Sequence, residues 1–372
     1  MLRSTVLIAI GLSGCEPEPI GLTSSQTEST SPPGPEGTPP PLPALEQIET
    51  RAYPNGIAAD EDHIYVVIGE PHTDPSSLPL GPGQSSVVQV FSTDDGALVE
   101  EIEVAGGGHS LILSPTGDSL YVAHFSLDNR VTSIAVPELE VTAEIGGLLQ
   151  LDIVAPDALA ASPDGRWVYV GSNGLSGAWI SRIDTTTDRV DRGWRAEVAD
   201  GFVCWVASGW GQAADSVYAN SWTGGSVQRL DAITSAPLAS ADVGAFPHAL
   251  ALDPTGSSLY VLVSGGNQVL RLDALTLEEQ ARVTGPWLGL WGGPVSGTLS
   301  HSGRHLFVAN HALGQIAVVD VDPASMDRDT VVATLQVGLD PIFSALSPDG
   351  ARLYVSNNAS ASVSVLDVST WP

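Results

Sequence analysis

Eight histidines and nine tryptophans are the side chains of this 372-residue chain best suited to chemistry or recognition. Imidazoles hold zinc or copper when three or four ligands converge about 2 Å from one ion and a second layer of partners orients them. Indoles offer large, rigid faces on which apolar or planar groups stack. His109, His124, His248 and His311, with Trp222, Trp287 and Trp291, stand beside short alternating apolar stretches, where strand ends are expected. Other chemistries lack their residues. No Cys-x-x-Cys-His segment occurs, so no covalent c-type haem is encoded. The only cysteines, Cys15 and Cys204, exclude a thiolate metal cluster and a disulfide framework. No Gly-x-Ser-x-Gly elbow precedes a helical pattern, so acyl transfer has no support.

Composition narrows the scaffold. The chain is 43% hydrophobic and 15% charged, with 39 Gly and 27 Pro, a mix that favours short strands joined by many turns over long helices. Fourteen Arg, no Lys, and 43 Asp plus Glu give a formal charge of -29, which repels nucleic acid.

Residues 1–14 read as an export signal: Arg3, then the apolar run Val6 to Leu12, then small residues. The ending Leu12-Ser13-Gly14-Cys15 resembles the lipobox of bacterial lipoproteins, and the resemblance implies cleavage before Cys15 and acylation of its thiol. Residues 15–45 then form a tether rich in Pro, Ser, Thr, Gly and Glu, too poor in apolar side chains to offset the entropy of ordering. In polyproline II form it reaches ~90 Å at ~3 Å per residue. No later segment approaches the length of apolar chain that spans a bilayer.

From about residue 46 a unit near 47 residues repeats. Its anchors are Tyr65, Tyr121, Tyr169, Tyr218, Tyr260, Phe307 and Tyr354, and its turns include Ser114-Pro115-Thr116-Gly117, Ser162-Pro163-Asp164-Gly165 and Ser347-Pro348-Asp349-Gly350. A second series, Asp184, Asp231, Asp273, Asp320 and Asp367, keeps step with the anchors and predicts carboxylates that accept backbone N–H bonds in turns. Arg182, Arg229 and Arg271 repeat two residues before three of these Asp, a registry that predicts packing or cross-strand pairing. Four antiparallel strands per unit and seven units predict an all-β, seven-bladed β-propeller over residues 46–372. Its last unit runs out after a third strand, so the missing outer strand is expected from Glu46 to Thr50, closing the ring.

The segments Arg352-Leu353-Tyr354-Val355-Ser356-Asn357 and Leu306-Phe307-Val308-Ala309-Asn310 resemble the YVTN repeat of seven-bladed propellers. That resemblance implies envelope and secreted binding proteins first, with lactonases and haem or copper enzymes on similar rings. A lactonase-like or metal-dependent enzyme would draw on Asp152, Asp157 and Asp200 near blade junctions. In a meander, the start of a first strand and the end of a second share one face. The rule gathers His109, His124, His248, His311, Trp222, Trp287 and Trp291 at one mouth of the ring, with His72 above them, and sends His63, His301 and His305 to the other. Trp205 is expected in the inner-strand core, and Gly106 to Gly108 and Gly292-Gly293 are expected to let backbone approach a ligand or turn the chain between blades. The reading is a monomeric envelope lipoprotein, anchored to the membrane through Cys15, with a non-enzymatic binding or scaffold propeller for an envelope protein or glycan and no cofactor.

Overall fold

The computed structural model describes residues 46–69, 85–126, 128–147, 149–174, 177–199, 201–285 and 293–372. Seven four-stranded antiparallel sheets, each a simple meander, follow one another along the chain. The inner strands are Pro54–Ala59, Gly108–Leu113, Ala158–Ala161, Val206–Ser208, Pro247–Leu252, Pro294–Leu299 and Pro341–Leu346, in blades 1 to 7. Each contacts the next around the ring, and the seventh contacts the first.

Every predicted anchor lies in a second strand, two percent exposed or less. The rings pack between sheets, where burial of an aromatic side chain contributes most. The Tyr121 hydroxyl donates to Asp188 of the next blade at 3.1 Å, and that of Tyr218 to the Ala274 carbonyl at 2.8 Å. The five Asp close turns as their spacing predicts: Asp231 Oδ1 accepts from the Ile233 and Thr234 amides, and Asp184, Asp273, Asp320 and Asp367 each accept from the amide two residues on. Backbone bonds of this kind hold the Asp231 and Asp273 carboxyls below the usual carboxylate range. The turn glycines Gly117, Gly165, Gly256, Gly303 and Gly350 sit at φ 74, 71, 71, 70 and 71, a left-handed conformation open to Gly at little cost.

Closure occurs as the running-out of the last unit requires. Glu46–Glu49 pairs antiparallel with Ser362–Asp367 as the outer strand of blade 7, with Ile48 opposite Val363. Ile48 is 7% exposed and packs with Ile57, Phe91, Val363 and Val365, residues of blades 1 and 7. Blade 4 departs from the others in the way its sequence departs. Its inner strand has three residues, and a short 3-10 helix, Gly211–Ala213, replaces the Pro-Gly turn.

Candidate functional site

At the mouth where inner strands begin, five of the seven first strands carry a bulge at or next to their second residue. A bulge re-aims the side chain it holds. His109 and His248 occupy two of these positions, and each reaches the following blade. His109 Nδ1 lies 2.9 Å from Asp157 Oδ1, and His248 Nδ1 donates to the Val295 carbonyl at 2.9 Å. His311, just past its second strand, makes the equivalent link, with Nδ1 2.9 Å from Asp340 Oδ1. Three imidazoles therefore tie blade 2 to 3, 5 to 6 and 6 to 7, with the proton on Nδ1 facing an acceptor oxygen in each case.

The rings between them cross the ring axis. Trp205 of blade 4 stacks on Phe343 of blade 7, centroids 5.7 Å apart and planes 19° apart. Phe343 meets His109 of blade 2 edge-on at 5.7 Å. His109 touches Phe125 at 6.2 Å, and Phe125 touches Phe202 of the blade 3 to 4 linker at 5.8 Å. Blades 2, 4 and 7 are not neighbours, so this chain of rings runs across the mouth. Trp205 corrects the expectation of a core residue: it is half-buried, packing on the inner-strand core with one side and on Phe343 with the other.

Beside the ring stack, Trp222 and Phe246 meet at 4.6 Å. Phe246 holds a left-handed φ of 59, immediately before Pro247, and is 41% exposed. Tyr53 before Pro54 and Asp340 before Pro341 repeat that conformation at φ 66 and 57. Bulky residues rarely adopt it; strain of ~1–3 kcal/mol per residue persists only where surrounding structure imposes it, and such strain clusters at binding sites.

His124 is placed otherwise than its neighbours. It ends its strand fully buried, with Nε2 2.7 Å from Thr132 Oγ1. It cannot belong to an exposed surface, because the last residue of the second strand points into the blade, as Asn310 and Asn357 do at the same step past their anchors. The residue that faces the mouth is the next one, Phe125, in register with Trp222 and His311. Burial pulls the His124 imidazole down to about 4; the Ala105 carbonyl opposes this and the Arg130 charge adds to it. The unfolded chain binds a proton near pH 6.5 that the folded chain refuses until about 4. Stability therefore falls as pH drops through that window, by roughly 3 kcal/mol for this residue. Urea unfolding of His124→Asn at pH 7 and pH 4.5 is expected to lose most of that dependence; a slope equal to that of the wild type rules the assignment out.

The glycines of blade 2 pack against protein. A Cβ on Gly107 would meet the Phe125 carbonyl at 2.9 Å and one on Gly108 would meet Val67 at 2.4 Å. Among the described residues no three His, Cys, Asp or Glu are grouped to hold a metal ion. Asp157 is held by His109 and Asp152 by Arg192 at 2.9 Å. Cys15, His72, Asp200, Trp287, Trp291 and Gly292 lie outside the described residues. Among described residues no helix is long and apolar enough to cross a membrane.

No protein-family model matches the chain, and no curated protein matches it. Among solved structures it is similar to Kuenenia stuttgartiensis hydrazine synthase, at 19% sequence identity over 90% of this chain and 99% of that one, with a TM-score of 0.69. At that identity the likeness shows the propeller fold alone.

Proposed function

We propose that this chain is a cell-envelope lipoprotein, held to the membrane through Cys15, that presents its propeller as a non-enzymatic binding module with the aromatic mouth as its contact surface. One observation carries the reading: the exposed, strained Phe246 in tilted contact with Trp222, beside a mouth whose rings and imidazoles are already fixed by contacts between blades. Fixed aromatic faces bind with little ordering cost. The same fixing speaks against catalysis, since His109, His248 and His311 each hold Nδ1 in an interblade bond. The lipobox ending and Pro-rich segment supply the anchor and stalk.

Isothermal titration of residues 46–372 against cell-wall glycan fragments and secreted envelope proteins tests the binding role. A Trp222→Ala, Phe246→Ala double variant is expected to weaken the interaction ten- to a hundredfold, in line with roughly 1.5–3 kcal/mol for a pair of central aromatic contacts. Turnover of any substrate by the purified domain would displace the proposal. The anchor is tested separately: Cys15→Ser is expected to abolish palmitate incorporation and move the protein out of the membrane fraction, and persistent membrane association defeats that part.

A further inference from the structure

Charge is divided between the two faces of the ring. The face opposite the mouth carries exposed Glu61, Asp94, Asp164, Asp215, Asp327 and Asp349 in its turns. The linkers and turns of the mouth face hold, among the described residues, Arg51, Asp128, Asp152, Asp157 and Asp340 as their only residues of the Arg, Asp or Glu type. Arg51 pairs with Glu101 and Asp152 with Arg192, while Asp157 and Asp340 each face a histidine Nδ1 at 2.9 Å and Asp128 is buried. Among the described residues, the loops of the mouth face therefore expose far fewer carboxylates than those of the opposite face. The mouth's linkers and turns expose instead Phe246, Leu313 and Leu339, the last 67% exposed.

Resting on the binding-module reading above, we infer that this face docks an apolar patch on the surface of another protein. Three observations select that occupant. A small molecule needs a concavity, and the rings from Trp205 to Phe202 run in contact across the mouth. A sugar needs convergent polar groups, and the imidazole Nδ1 and carboxylate groups here are bonded between blades. Protein interfaces, by contrast, have cores depleted of charge and enriched in aromatic anchors. Glu46–Glu49 runs antiparallel to Ser362–Asp367, with Glu46 opposite Val365, so this closing strand starts at the acidic face and not at the mouth.

The test is site-specific photocrosslinking of the full-length protein in its native envelope. Leu339 and Ile233, 67% and 70% exposed, are matched aliphatic positions on opposite faces. Benzoylphenylalanine at Leu339 is expected to give one discrete protein adduct whose mapped contact is apolar, and at Ile233 none. The adduct is expected to vanish in Phe246→Asp, shown folded by an unchanged thermal midpoint, and the captured protein, once purified, is expected to bind that variant at least tenfold more weakly than wild type. Equal adducts at both positions, or an adduct made only to a second copy of this chain, overturn the inference. So does the absence of any protein adduct. If glycan titration is then still lost in Trp222→Ala, Phe246→Ala, the binding-module reading stands with a different ligand; if neither is seen, both fall.

Discussion

Replacing Ile48 by Asp is expected to lower the stability of the whole ring by at least about 4 kcal/mol, although the residue lies near one end of the described chain. Truncating a buried Ile costs roughly 2–4 kcal/mol by lost transfer and cavity terms, and an unpaired carboxylate among Phe91, Val363 and Val365 adds its desolvation. Ile48→Val is expected to cost only about 1 kcal/mol. The urea midpoint, followed by tryptophan fluorescence, measures both. Beginning the chain at residue 52 asks a different question, because it bares the N–H and C=O groups of Ser362–Asp367 along an apolar edge. That protein is expected to form concentration-dependent oligomers by light scattering, without the ring springing open. Asn358 Nδ2 still donates to Asn55 Oδ1 at 2.9 Å, and Arg352 still donates to the Thr93 carbonyl at 2.8 Å, across the same junction. A monomer with an unchanged midpoint contradicts the closure mechanism.

What could be read from residue order follows from what repeats. The anchors and turn Asp recur because each blade solves the same local problem, so their spacing revealed blade number, strand order and the closing strand. Phe343, Phe125 and Phe202 escaped notice because their contact joins blades 7, 2 and 3 to 4 across the axis, a relation with no period along the chain. Register was the second obstacle. His124 and Phe125 differ by one position, and that position separates the last, buried residue of the second strand from the first residue of the mouth turn. The interblade role of His248 was invisible for another reason: its acceptor is the Val295 carbonyl, a group every residue type supplies. Strain at Phe246 was equally silent, since nothing in a Phe-Pro pair announces a left-handed backbone.

Arg271→Met is expected to cost about 3–5 kcal/mol, the range for stranding one member of a buried ion pair. Arg271, in the third strand of blade 5, grips Asp329 of blade 6 with two parallel bonds, Nε to Oδ1 at 2.9 Å and Nη2 to Oδ2 at 2.8 Å. The side chains are 11% and 16% exposed, so solvent screens little of the interaction. The repeated arginines share this direction: Arg182 donates to the Ala232 carbonyl of blade 4 and Arg229 to the Leu275 carbonyl of blade 5, both at distances near 2.9 Å. Each fastens its blade to the next on the side opposite the histidine links. Arg182 spends its charge on Asp191 of its own blade, whereas Arg271 has its charged acceptor across the junction, and a charge left behind is costlier than a carbonyl. Hence Arg271→Met, Asp329→Leu is expected to recover most of the loss, since no buried carboxylate is then abandoned. Arg282→Met supplies the comparison, because its bridge to Glu279 is 45% and 43% exposed and is expected to shift stability by less than about 1 kcal/mol. Urea midpoints of the three variants decide the matter: a double variant as unstable as the single one would show that Arg271 acts through its packing and not through the charge it holds.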